Sequence, residues 1–130
     1  MKIIRQNYIP FGNYEAINLF GVLFVRGDAE IDDVNMNHER IHSAQIEESM
    51  IVSFCLSAPL LFMGLWWVTL LATLLGFYAW YSIEWLVKLI KYKSKNKAYR
   101  NMGFEIEAYE NEDNLDYLIY RKAFDWFKYI

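Results

Sequence analysis

ESMIVSFCLSAPLLFMGLWWVTLLATLLGFYAWYSIE, residues 48–84, contains no Asp, Glu, Lys, Arg or His between its two terminal glutamates. Leu, Phe, Trp, Val, Ile and Ala dominate it, and the apolar character continues to Ile90. A helix rises about 1.5 Å per residue, so one continuous helix over this stretch would be roughly twice as long as the hydrocarbon core of a bilayer is thick. Two membrane spans fit that length, about 48–64 and about 67–90. The break is expected at Gly64-Leu65-Trp66-Trp67, where glycine loosens the helix and paired tryptophans suit the headgroup level.

Outward from the hairpin, the charges fix its expected orientation. Every Lys and Arg lies outside residues 49–83, and Lys88, Lys91, Lys93, Lys95, Lys97 and Arg100 follow the second span as a cluster. Such clusters favour the cytoplasmic face, so both termini are predicted to be cytoplasmic in an inner or plasma membrane. The start, MKIIRQN, lacks the apolar run of a signal peptide, so insertion is expected to rely on the internal spans. A net charge of −3 and scattered basic residues exclude nucleic acid as a partner. The single cysteine, Cys55, falls within the first span and can form no disulfide framework.

The chain of 130 residues suffices for one domain with one core. Residues 1–34 are expected to form a short N-terminal β and loop element, because β-branched and aromatic residues punctuated by Gly12, Gly21 and Gly27 predict one or two strands within residues 8–26. Asp28, Glu30, Asp32 and Asp33 lack the glycine and distal glutamate of a calcium loop and read as a solvated turn with a helix cap. A helix over residues 35–64 is expected to run into the first span, since no Gly or Pro precedes Pro59. Residues 98–130 predict a further helical segment, with a break near residues 111–114. The fold class is therefore mainly α and integral to a membrane, with the lipid bilayer as a partner.

On the first predicted helix stands His38-Glu39-Arg40-Ile41-His42, an H-E-x-x-H motif holding both histidines of the chain. Residues four apart on a helix are offset by about 40°, so His38 and His42 project together and can share one metal ion. Glu39 is offset from that line and is positioned beside the ion, where it can take a proton from metal-activated water and pass it to a leaving amine. The expected cofactor is Zn2+ and the expected reaction is hydrolysis of a peptide bond, with a peptide or protein as substrate. Gln45 and Ser49 continue the same stripe, within reach of a ligand or substrate, and read first as packed or solvated side chains.

Catalytic zinc sites take three protein ligands and leave one position open. With no third histidine, the remaining ligand must be an acid, and the acids of residues 104–112 are the nearest to hand because two spans return the chain to the side it left. Glu105 and Glu107 point about 200° apart on a helix, so only one of them can serve. Glu84, deep in the second span, is another possibility, although pairing with Lys88 four residues on explains it as well.

These residues resemble the gluzincin zinc metallopeptidases, especially the small membrane-embedded ones, which place H-E-x-x-H at the membrane end of a helix and take a third ligand from a downstream Glu-x-x-Ala-Asp helix. Glu105-Ile106-Glu107-Ala108 matches Glu-x-x-Ala, and Tyr109 stands where those peptidases have Asp. The resemblance implies Glu105 as third ligand with His38 and His42, Glu39 as catalytic base, and a zinc metalloendopeptidase activity. A different class is also compatible with the residues: a non-catalytic membrane protein whose zinc site is structural and which serves as an interaction or regulatory subunit. So short a chain has little room for a cleft, which makes a homo-oligomer a further expectation.

Overall fold

The computed structural model describes residues 1–10 and 15–130. Three strands, β1 (Lys2–Gln6), β2 (Ala16–Leu19) and β3 (Val22–Arg26), form one sheet in the order β1-β3-β2. β2 and β3 are the strands expected within residues 8–26; residues 11–14 of that stretch lie outside the described residues. β1, pairing parallel with β3 from Lys2↔Val22 to Gln6↔Arg26, was not expected, because only Ile3 and Ile4 carry strand character.

β2 and β3 are joined by Phe20-Gly21, with φ of 53° and 76°. Two successive left-handed residues twist the chain in the sense of the flanking strands, the favoured two-residue hairpin geometry. Phe20 is held in this unusual conformation from outside: its N–H donates to the Tyr78 hydroxyl at 2.8 Å, and its ring meets that of Tyr78 edge-on at 5.1 Å. On the inner face of β3, fully buried Leu23 and Val25 pack with Ala29, Ile31 and Met36, seating the sheet on the start of the first helix.

Asp32 caps that helix, α1 (Asp33–Ser57), by accepting the Asn35 N–H at 2.7 Å, while Asp28 pairs with Arg26, as the solvated-turn reading expects. Pro59 ends it, since proline lacks an N–H and its ring collides with the carbonyl four residues back. A short α2 (Pro59–Phe62) and Gly64 at φ 75° turn the chain into α3 (Trp66–Tyr92). The helix expected over residues 35–64 is thus two helices with a proline break. α1 lies against α3 at close range: a Cβ on Gly76 would fall 1.8 Å from Ser53 Oγ.

Two helical stretches, Asp33–Phe62 and Trp66–Tyr92, are long and apolar enough to cross a membrane. Their outward surfaces are apolar: Leu56, Phe62, Trp66, Leu70, Ile83 and Ile90 are all exposed. Beyond Lys93, itself left-handed at φ 51°, come α4 (Lys95–Arg100), α5 (Gly103–Asn111), α6 (Tyr117–Tyr120) and a 3-10 helix (Asp125–Tyr129). The C-terminal helical segment is therefore four short pieces rather than one or two long ones. It folds back on the hairpin through a core of Ile46, Phe77, Phe104 and Trp126, which joins α1, α3, α5 and the 3-10 helix. A second cluster, Ile41, Ala108 and Tyr117, fixes α5 and α6 on the H-E-x-x-H turn of α1.

Candidate metal centre

The helical spacing of α1 brings the two histidine rings together, with Nε2 of His38 and Nε2 of His42 only 3.0 Å apart. α5 delivers Glu105 to the same point: Oε2 lies 3.7 Å from His38 Nε2, and Oε1 lies 3.6 Å from His42 Nε2. All three side chains are buried, and one ligand atom from each lies within 4.8 Å of the others, so the group could hold a metal ion. Glu105 Oε2 is buried and has no hydrogen-bond partner among the described residues. Two imidazole nitrogens facing each other beside an orphaned carboxylate oxygen form a costly arrangement unless a cation or a proton sits between them.

Each ligand is held from behind. His38 Nδ1 is 2.8 Å from Glu112 Oε2, and the Tyr109 ring meets the His38 ring edge-on at 4.8 Å. A carboxylate on the far nitrogen of a metal-binding histidine fixes its tautomer and raises its basicity. Here that carboxylate comes from residue 112 rather than from position 109, which packs instead. His42 Nδ1 is 2.7 Å from Gln45 Oε1. Glu105 Oε1 accepts from the Tyr81 hydroxyl at 2.9 Å, and Tyr99 lines the same cleft.

Without a metal, these groups settle their charges among themselves. Burial disfavours charge on His42, but Glu105, Glu39 and Gln45 outweigh it and lift its pKa to about 9. Burial and the charge of His42 hold His38 below its ordinary value, against the pull of Glu112, Glu105 and Glu39. Burial acts to raise Glu105, yet His42, Tyr99 and Tyr81 keep it below the usual carboxylate value. The metal-free centre is thus a His42–Glu105 ion pair.

The competing acids are committed elsewhere. Glu107 is fully buried on the other side of α5, bonded to Gln45, Tyr117 and Arg121. Glu84 Oε1 accepts the Gly103 N–H at 2.7 Å and lies 3.8 Å from Lys88 Nζ, so it anchors the start of α5 two residues before Glu105. Of the two residues that continue the histidine stripe, Gln45 is packed against the centre and Ser49 Oγ is buried without a partner.

Beside the histidines opens a cleft of about 430 Å³, lined by His42, Glu105, Glu39, Tyr81 and Tyr99 at one end and by Ile46, Phe77, Tyr78 and the strand β2 further along. Glu39 Oε2 is buried there with no partner among the described residues. β2 is an edge strand, tied to α1 by the Asn18 amide, which donates to Glu39 O and to Ser43 Oγ, both at 2.9 Å. The Arg26 N–H donates to Glu15 O, which sets the ladder phase. By alternation, the backbone groups of Ala16 and Asn18 point away from β3. A single chain therefore supplies a cleft with a free strand edge.

Gln45 was named from the sequence as able to reach a ligand, though read first as a packed or solvated side chain, and it bonds His42; Glu112, Tyr81 and Tyr99 were not singled out as supports of the centre. Glu112 carries a signal, since it stands seven residues after Glu105 and so on the same helix face; the two tyrosines carry none. Comparison with protein-family models, with curated proteins and with solved structures gives no match for this chain.

Proposed function

We propose that this protein is an integral membrane zinc metallopeptidase in which His38, His42 and Glu105 hold the ion and Glu39 is the general base. One observation carries this reading: the Nε2 atoms of both histidines and the orphaned oxygen of Glu105 converge on one point, at the mouth of a cleft into which Glu39 opens. Zinc–nitrogen bonds of about 2.0–2.1 Å in a tetrahedron set ligands roughly 3.3 Å apart. The two Nε2 atoms are 3.0 Å apart, and each histidine has a Glu105 oxygen near that distance, Oε1 at 3.6 Å from His42 and Oε2 at 3.7 Å from His38. Neutral nitrogen and carboxylate donors with one side open to the cleft suit a hydrolytic zinc site rather than a closed structural one.

When bound, zinc would acidify a water molecule and polarise the scissile carbonyl. Glu39, whose carboxylate lines the same cleft, would hold the proton given up by such a water and return it to the leaving amine. The free edge of β2 holds the substrate extended, by backbone hydrogen bonds to Ala16 and Asn18. Glu112 and Gln45 keep the two imidazoles oriented. The apolar outer faces of α1 and α3 are the lipid-contacting surface, with the metal centre at one membrane surface, on the cytoplasmic side by the charge pattern.

The decisive experiment is Glu39→Gln in detergent-solubilised protein. Wild type is expected to retain about one zinc per chain and to cleave members of a peptide library; the variant is expected to retain the zinc and lose cleavage by at least a hundredfold. Equal cleavage by both would reject Glu39 as base. A wild type that holds zinc yet cleaves nothing would leave the non-catalytic interaction subunit as the correct class.

A further inference from the structure

A side-chain amide can be turned end for end with almost no change of shape, so its orientation is dictated by its neighbours. Gln45 is fully buried and has three. Two of them, Phe104 O at 3.0 Å and Glu107 Oε2 at 2.8 Å, only accept hydrogen bonds, so the NH2 end must face them. That turns Oε1, an acceptor, towards His42 Nδ1 at 2.7 Å. Nδ1 must then keep a proton in every state, so the proton of the charged ring that a metal ion displaces is the one on Nε2, which faces the centre.

Glu107 cannot turn away from this task. Its Oε1 accepts from the Tyr117 hydroxyl at 2.9 Å and from Arg121 Nε at 2.6 Å, and its Oε2 also accepts from Arg121 Nη2 at 3.2 Å. Arg121 is itself gripped by Glu48, whose Oε2 takes a further bond from Trp126 Nε1 at 3.2 Å. The far end of the chain is therefore wired to the second histidine of the motif.

We propose that Gln45 is a positioning residue of the metal centre: locked by Glu107 and, through it, by Arg121, it holds His42 in the Nδ1–H form with Nε2 presented to the ion. This role rests on the zinc centre proposed above and goes beyond it. A glutamine that merely filled space would be replaceable by methionine, which has the same length and no amide; a positioning glutamine would not.

The test begins with wild-type protein in detergent carrying 15N-labelled histidine, because it needs no variant to fold. Long-range 1H–15N correlation spectra show which ring nitrogen bears hydrogen. His42 is expected to show Nδ1–H both after chelation and after zinc loading, with zinc shifting only its Nε2 resonance. Zinc on Nδ1, or a bare Nδ1 in either state, overturns the assignment. Gln45→Met is then expected to keep its helical circular dichroism and to bind zinc 10–100-fold more weakly; wild-type affinity in that variant also overturns the proposal. If wild type takes up no zinc, metal analysis alone shows that the centre itself has failed. That outcome is separate from the ring-proton signature, which is read in chelated protein.

Discussion

Removing the metal should make this protein sensitive to alkali. In the chelated protein His42 is raised from 6.5 to about 9 by its partnership with Glu105, despite its burial. A raised folded-state pKa contributes stability that is fully present below 6.5 and is lost as the pH climbs through about 9. The interval corresponds to about 3 kcal/mol, shared with Glu105 rather than added to it. On the acid side Glu105 acts oppositely: its lowered pKa gives stability that is present above 4.5 and lost as the pH falls through its folded value. Zinc changes the alkaline limb, because it must displace the His42 proton. Its affinity should rise about tenfold per pH unit up to about 9, so that binding at pH 7 is on the order of a hundredfold weaker than at pH 9. Thermal unfolding followed by tryptophan fluorescence should therefore show the chelated protein weakening between pH 6.5 and 9 while the zinc-loaded protein stays level, the rise in zinc affinity offsetting the loss of the ion pair. Calorimetric titration at pH 7 in two buffers of different ionisation enthalpy should register about one proton released per zinc. Parallel pH trends in the two forms, or zinc uptake without proton release, would refute the ion-pair description of the empty centre.

Other consequences can be checked separately. Gly76→Ala would place a methyl group 1.8 Å from Ser53 Oγ and 2.7 Å from Ser53 Cβ, costing about 1–3 kcal/mol; Ser53→Gly in the same chain should recover part of that, and an unaltered denaturation midpoint for the single variant would count against the close α1–α3 contact. Glu84→Leu removes the acceptor on Gly103 N–H and should cost about 1–3 kcal/mol, with weaker zinc binding because α5 loses its anchor; full zinc affinity would separate Glu84 from the centre. With Phe62 95% and Leu56 79% exposed, the protein should stay in the membrane pellet through an alkaline carbonate wash, and recovery in the supernatant would contradict two spans.

The parts of this molecule that repeat locally were legible in its sequence. The charge-free stretch marked both long helices and the spacing of four paired His38 with His42, whereas the helix of the first span was carried past Pro59 to residue 64, and α1 ends at Ser57. Glu105 needed the likeness of Glu-x-x-Ala to a known pattern; the residues alone left Glu107 open, and only the three-dimensional engagement of Glu107 with Arg121 and Tyr117 removes it. What was not legible depends on contacts between residues far apart in the chain. Gln45 meets Glu107, Glu48 meets Arg121, His38 meets Glu112, and Glu84 meets Gly103, each by a route that no helical or strand period encodes. β1 was missed for a related reason: a parallel partner lies beyond a crossover, and KIIRQ is too short to announce itself.

The order in which the centre is assembled has a bearing on how such a protein is made. His38, Glu39 and His42 leave the ribosome early, more than sixty residues before Glu105, and the clamp on Glu107 is complete only when Arg121 has followed. A growing chain that has completed α1 and α3 but not α5 therefore carries the motif without the pocket that encloses it. On the proposed reading, a chain interrupted before α5 would be left with an unarmed motif.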